Sequence, residues 1–254
     1  SVSGDEEPSS EFPPEFFGAR ARADFFRSYR LLERKAEDGI EGSWLEEGAV
    51  TPRQTFIRSL LRAGSAPVPC ILRKRASPFH INLSFQGLGD TVIKSLAEVL
   101  TELPTIEVLN VRDNRLTDAS LVDLINAVMR CPSITELDLS SNKVDEAAVS
   151  LREYVASPGC ALKKLCLSQA DVDDDECHEM MDALVTNSSI TSLDISHNQI
   201  GTKETLNFVV PGYTTGGEAT AVMLCRNYVL VHLDLSWNHI RQDSAVEIGK
   251  VIVM

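Results

Sequence analysis

The sequence predicts an α/β solenoid, a curved parallel sheet of short strands lined on its convex side by helices. Two observations carry that expectation. One spacing of apolar residues recurs at a fixed period: "PFHINLSFQGL" starts at residue 78, "IEVLNVRDNRL" at 106, "ITELDLSSNKV" at 134, "LKKLCLSQADV" at 162 and "ITSLDISHNQI" at 190, each 28 residues after the last. A sixth copy, "LVHLDLSWNHI", starts at 230, after a 12-residue excess. Between the copies lie helical patterns such as "DASLVDLINAVMRC", with Leu121, Leu124, Ile125 and Val128 on one face. A strand and a helix cannot bury themselves alone, so self-similarity at this period requires neighbours to stack.

Each element follows in chain order. Residues 1–14, "SVSGDEEPSSEFPP", are acidic and rich in Ser and Pro and are expected to be a disordered tail. Residues 15–77 are expected to form a helical N-terminal cap, because a solenoid exposes an apolar end that needs covering. Its first helix carries Phe25, Phe26, Tyr29 and Leu32 as a buried stripe. Its second is "TPRQTFIRSLLRAG", with Thr51 as N-cap, Pro52 in the first turn and Gly64 at the end. "VPCILRKRAS" then leads, as an irregular strand, into six repeats over 78–254.

Within each repeat, positions 4 and 6 (Leu137 and Leu139 in the third) alternate with polar neighbours, as in a strand buried on one face. An Asn at position 9 sits where the chain turns out of the strand, and stacked copies are expected to form a hydrogen-bonded ladder. Gln86 and Ala170 stand at that position in the first and fourth repeats; Ala170 has no amide, so the ladder should break there. The excess in the fifth repeat includes "VVPGYTTGGEA", expected as a surface loop at 209–219. Its glycines lack the G-K-[ST] and the preceding strand of a phosphate loop. The chain stops inside the sixth helical pattern, "SAVEIGKVIVM", so it is expected to be a fragment or to be covered there by another element.

On these motifs residues 78–254 resemble leucine-rich repeats of the ribonuclease-inhibitor subtype. The resemblance implies a horseshoe, with the strands on its concave side and a full helix per repeat outside.

Composition narrows the function. The formal net charge of −13 argues against nucleic acid or an anionic membrane surface as partner. Six Cys at irregular spacings, with no CxxC pair, read as reduced thiols in a cytoplasmic protein. "DVDDDECHEMMD" at 171–182 lacks the Gly and the final Glu of a calcium loop. It reads instead as a helix start with an Asp173–Glu176 capping box, and neither metal nor cofactor is expected. No Ser/His/Asp or Cys/His set falls together in the repeat register, which points away from an enzyme.

What remains is the concave surface, onto which positions 3, 5 and 7 are expected to project. Asp138, Asp194 and Asp234 at position 5, with Glu136, form an acidic track interrupted by Lys164. His197 and His232 fall on neighbouring repeats, Asn110 and Arg112 lie nearer the N-terminal end, and Phe85 and Trp237 stand at the rim. Charge beside exposed aromatic area is how binding hot spots are built. The sequence therefore predicts a non-catalytic scaffold binding a protein partner, with a basic face, through these eleven residues. Two alternatives remain open at this point. The repeat subtype also occurs in GTPase-activating proteins, where Asn110 and Arg112 would have to reach a nucleotide, and a structural subunit of a cytoskeletal or flagellar assembly would use the same fold.

Overall fold

The structure, a computed structural model, describes residues 56, 59, 60, 62–65, 80–102, 106–205 and 214–253. All lie in the second of the two compact units of the chain, Thr51–Met254. The expected acidic tail and the first cap helix fall outside the described residues.

Six strands form one sheet in chain order: β1 (His80–Asn82), β2 (Val108–Asn110), β3 (Glu136–Asp138), β4 (Lys164–Cys166), β5 (Ser192–Asp194) and β6 (His232–Asp234). All five pairings are parallel and place equivalent repeat positions side by side, Leu109 beside Leu137 and Leu193 beside Leu233. Between the strands run α1 (Gly89–Val99), α2 (Asp118–Met129), α3 (Ala147–Ala156), α4 (Asp174–Thr186) and α5 (Gly216–Arg226), and α6 (Gln242–Ile252) follows β6. Position 4 is buried in the middle of the sheet, Leu109, Leu137, Leu165 and Leu193 all being at most 1% exposed. The predicted apolar face of α2 is equally buried: Leu121, Leu124, Ile125 and Val128 join the same core.

The asparagine ladder is present and explains why the period tolerates no slippage. Asn142 Nδ2 donates to the carbonyls of Leu139, Ser140 and, one repeat back, Val111. Its Oδ1 accepts the backbone N–H groups of Asn114 and Leu116. Asn114 and Asn198 repeat the pattern, and Asn238 makes a reduced version of it. Buried backbone groups outside regular structure need such partners. At Ala170 the ladder breaks, as expected, and the backbone compensates: the Val144 N–H donates to the Ala170 carbonyl at 3.1 Å instead of to a side chain. Ala170→Asn should complete the ladder and add about 1 kcal/mol, the net worth of one hydrogen bond. Urea unfolding measures this; a variant no more stable than the parent would mean that the backbone bond already does the work.

A second ladder runs along the helix starts and was not foreseen. The Asp at position 13 of one repeat accepts N–H groups from the next. Asp90 takes the Thr117 N–H and the Ser120 hydroxyl, and Asp118 takes the N–H groups of Asp145 and Ala147. Asp174 is fully buried and accepts three, from Gly201, Lys203 and Gly216. A carboxylate at helix N-termini is favoured by the dipole as well as by the bonds.

Asp174 also accounts for the fifth repeat. A single helical turn, Thr202–Thr205, starts where the other repeats start their helix, and the helix begins again at Gly216. The expected loop at 209–219 is therefore corrected in its second half. Thr215 caps α5 with Glu218 in a reciprocal capping box, and Gly216 and Gly217 are buried in the first turn. The glycines are there for close approach: a Cβ on Gly217 would lie 2.6 Å from Ser244 Cβ. Gly201, at φ +88°, would place one 2.6 Å from the His239 carbonyl oxygen. Residues 206–213 lie outside the described residues.

From the expected cap, Phe56 and Leu60 are fully buried within the solenoid core. The helix ends as predicted at Gly64, whose positive φ of 70° lets the Ser65 N–H return to the Leu60 carbonyl.

Candidate protein-interaction face

The strands are shorter than the alternation suggests, ending at position 5, and the reason lies in the side chain there. Asn82, Asn110, Asp138, Asp194 and Asp234 each turn one oxygen back to accept the N–H of position 7, at 2.9–3.0 Å. Position 7 is exposed at Ser236 and half-buried at Ser84 and Arg112, but in the third to fifth repeats the expectation that it projects into the concavity is corrected: Ser140, Ser168 and Ser196 are buried. Their hydroxyls form a ladder of their own: Ser196 Oγ donates to Ser168 Oγ, and Ser140 Oγ accepts the Ser168 N–H. That last bond matters because the fourth repeat has Cys166 at position 5, and the neighbouring serine serves the N–H that Asp or Asn serves elsewhere.

The acidic track is real in space and partly structural in purpose. Register sets Glu136 beside Lys164, and Asp194 beside Asp234. Asp138 also accepts Asn110 Nδ2 at 2.9 Å, so Asn110 and Asp138 hold each other. Hydrogen bonds from the Ser236 hydroxyl and backbone hold the Asp234 carboxyl below its ordinary range, keeping it ionised on an exposed strand. Glu136 and Lys164 are exposed, Asn110, Asp138 and Asp194 half-buried, and His232 exposed on β6. Cys166, the thiol nearest the track, is half-buried; burial, with Asp138 adding to it, pushes its pKa up to about 11, so it is no thiolate near neutrality.

Position 8 forms the rim, and there the backbone does something the sequence reading missed. Phe85, Asp113, Ser141, Gln169, His197 and Trp237 all adopt left-handed φ values, from +51° to +58°. For a residue with a Cβ this costs roughly 1–2 kcal/mol, so the turn is held by its surroundings. The hold is visible: the N–H of position 8 donates to the position-7 carbonyl of the next repeat, as from Phe85 to Arg112 and from His197 to Ser236. Five of the six rim residues are held in this way; Trp237, in the sixth repeat, is held through its neighbours, the Ser236 carbonyl accepting the His197 N–H and Asn238 Nδ2 donating to the Ile195 and Leu235 carbonyls. Phe85 is 62% exposed and Trp237 76%. Each has a partner in the adjoining repeat. The Arg112 guanidinium lies 5.6 Å from the Phe85 ring centroid, and the His197 and Trp237 rings stack at 5.5 Å and 10°. The sequence signal for that stack was the shared position 8 in consecutive repeats.

The acidic run at 171–182 opens α4 as predicted, with the reciprocal Asp173–Glu176 capping box in place. Burial, reinforced by the hydrogen bond with Asp173, pushes the Glu176 carboxyl up to about 7 from an ordinary 4.5. Burial also works to raise Asp173, but the bonds it accepts outweigh that and hold it below its ordinary value. A folded-state pKa above the unfolded one means that the folded protein binds the proton more tightly. The stability Glu176 contributes is thus fully present below about pH 4.5 and lost as pH rises through about 7. Glu176→Gln keeps an acceptor for the Asp173 N–H and a donor for its carboxylate. Its melting temperature should lose that decline between pH 4.5 and 7, measured by thermal unfolding against pH; an unchanged slope would place the titration elsewhere.

Among the described residues no helix is long and apolar enough to cross a membrane, and no group of three His, Cys, Asp or Glu side chains is placed to hold a metal.

Comparison with known sequences agrees with this architecture. The leucine-rich repeat family model matches residues 102–124, 130–150, 186–203 and 227–249, passing over most of the first and fourth repeats, where Gln86 and Ala170 replace the Asn of the pattern. The chain is 29% identical over 152 residues to the NACHT, LRR and PYD domains-containing protein 4E of Mus musculus, covering 59% of this chain and 15% of that protein. It is 28% identical over 171 residues to the ribonuclease inhibitor of Mus musculus, covering 66% of this chain and 36% of the relative. It therefore spans well under half the length of either. The tropomodulin C-terminal domain of Caenorhabditis elegans superposes with a TM-score of 0.44 at 19% identity, over 59% of this chain and 83% of that domain. With a 28-residue period that pairs each strand with a full helix, the repeats of this chain are leucine-rich repeats, similar to those of the ribonuclease inhibitors.

Proposed function

We propose that the protein is a non-catalytic cytoplasmic scaffold that binds a protein partner with a basic face on its concave sheet. The observation that carries this is the rim and track together: exposed Phe85 and Trp237 on a fixed backbone, beside the carboxylates of Glu136, Asp138, Asp194 and Asp234. Rigid presentation across six strands reduces the ordering cost of association. The ribonuclease inhibitors among the relatives are by name proteins that act on another protein, which favours the same reading. The described part of 15–77, with Phe56 and Leu60 in the core, supports its role as the cap of this surface.

Nothing in the geometry favours the GTPase-activating alternative. Asn110 is engaged with Asp138 and the Arg112 backbone, and the Arg112 guanidinium lies over Phe85.

The turn chemistry dictates the clean test. Asn already serves at position 5 in Asn82 and Asn110, so Asp138→Asn, Asp194→Asn and Asp234→Asn remove charge and keep the turn. Wild type, that triple variant and Trp237→Ala are used to capture partners from native lysate, and the retained protein is measured by surface binding. The triple variant should slow association and flatten its salt dependence, because exposed charges act on encounter. Trp237→Ala should act by speeding dissociation. A partner bound equally by all three proteins would overturn the concave-face reading.

A further inference from the structure

The C-terminal end of the rim carries a more specific arrangement than an acidic face with an aromatic on it. His197 and Trp237 occupy position 8 of consecutive repeats, and their rings stack nearly parallel, 10° apart at 5.5 Å. One face of the indole is thereby occupied, yet Trp237 remains 76% exposed, so its other face is open. Neither ring is on a mobile tether. Both residues hold left-handed backbone angles, and the next residue, Asn238, is tied to the Ile195 and Leu235 carbonyls.

The charge beside this platform is equally fixed. Asp234, three residues before Trp237, has Oδ1 committed to the Ser236 N–H at 2.9 Å, which orients the carboxylate on the exposed strand. Asp194 stands next to it in register, its Oδ1 held in the same way by Ser196. A flat aromatic face with an oriented carboxylate three residues away in the same repeat suits a planar cation, which can stack on the ring and donate to the acid. The Arg112–Phe85 contact at the other end of the rim is the same pairing made within the chain, guanidinium against an aromatic at position 8.

We propose that Trp237, His197 and Asp234 form a subsite for an arginine side chain of the protein partner. The indole face stacks on the guanidinium and the Asp234 carboxylate accepts its N–H groups. An ammonium would gain the charge contact without the planar stack, so arginine is preferred to lysine. This assignment rests on the concave-face reading above and is separable from it.

The test uses Nα-acetyl-arginine amide as probe against the full ¹⁵N-labelled chain, with Nα-acetyl-citrulline amide as the neutral isostere. The Trp237 indole resonance is distinguished from that of Trp44 by Trp237→Phe. Arginine amide should shift the Trp237 indole and the Asp234 amide saturably, in the millimolar range. Citrulline amide, which loses the cation, and arginine amide on Asp234→Asn, which loses the carboxylate, should each bind about two- to fivefold more weakly, the factor expected for an exposed cation–aromatic contact and for an exposed ion pair. Asp234→Asn retains the turn, so a loss of binding is not a loss of fold. Citrulline equal to arginine, or no saturable shift, overturns the subsite. If the probe fails while the triple Asp→Asn variant still loses the captured partner, the subsite is wrong and the concave-face reading stands.

Discussion

Asp174→Ala is expected to be among the most damaging single substitutions in the solenoid. The carboxylate is fully buried at the start of α4 and accepts three backbone N–H groups, from Gly201, Lys203 and Gly216. Two of the three bonds are themselves buried, so water cannot replace the acceptor when it is removed. An orphaned buried donor costs about 1–3 kcal/mol, and bonds to a charged acceptor lie at the upper end of that range. The loss should therefore reach about 3 kcal/mol or more, a large fraction of the stability of a typical domain. It should be concentrated in the fifth repeat, since Asp174 bonds both the helical turn at 202–205, through Lys203, and the first residue of α5, Gly216. Urea unfolding gives the total, and hydrogen exchange of the 201–203 and 216–218 amides gives the location. Asp174→Asn retains one acceptor oxygen and should fall between the two. A loss below 1 kcal/mol for the alanine variant would mean that these N–H groups find other partners.

Leu137→Ala tests the sheet core in the same way. Leu137 is 1% exposed, with Leu109 and Leu165 beside it in register on β2 and β4. It sits in the middle of the solenoid, where neighbouring repeats on both sides restrict collapse into the vacated volume. A large-to-small change at such a site costs about 2–5 kcal/mol. Glu136→Ala, one residue earlier on the exposed side of the same strand, should change stability by less than about 0.5 kcal/mol. Equilibrium unfolding of the pair decides it: similar losses at both positions would contradict the assignment of faces.

These two residues were not equally legible. Leu137 was read from spacing, because strand alternation and a 28-residue period together specify which side chains stack in the middle of the sheet. In the sequence Asp174 is one acid among several in a helix-opening run. Its three donors lie 27, 29 and 42 residues further on, and only stacking brings them to it.

The same division runs through the candidate site. Period, apolar faces, the Asp173–Glu176 capping box and the gap at Ala170 were all determined by the sequence itself. Each depends on neighbours within one turn, one strand or one repeat distance, so a one-dimensional pattern contains the physics. Tertiary structure alone decided which polar groups are presented and which are consumed. Asp138 and Glu136 look alike as letters, but position 5 bends back to close a turn while position 3 stays open on the strand. Ser140, Ser168 and Ser196 at position 7 go inward, where repeats on both sides cover them, while Ser236 in the sixth repeat stays exposed. Gly216 and Gly217 read as loop residues in the sequence, yet in the fold Ser244 leaves no room for a side chain at Gly217, and Cys177, Ile200 and Asp174 crowd Gly216. His197 and Trp237, 40 residues apart in a chain whose period is 28, became one stacked surface only because the insertion between them is accommodated before β6 rejoins the sheet in register.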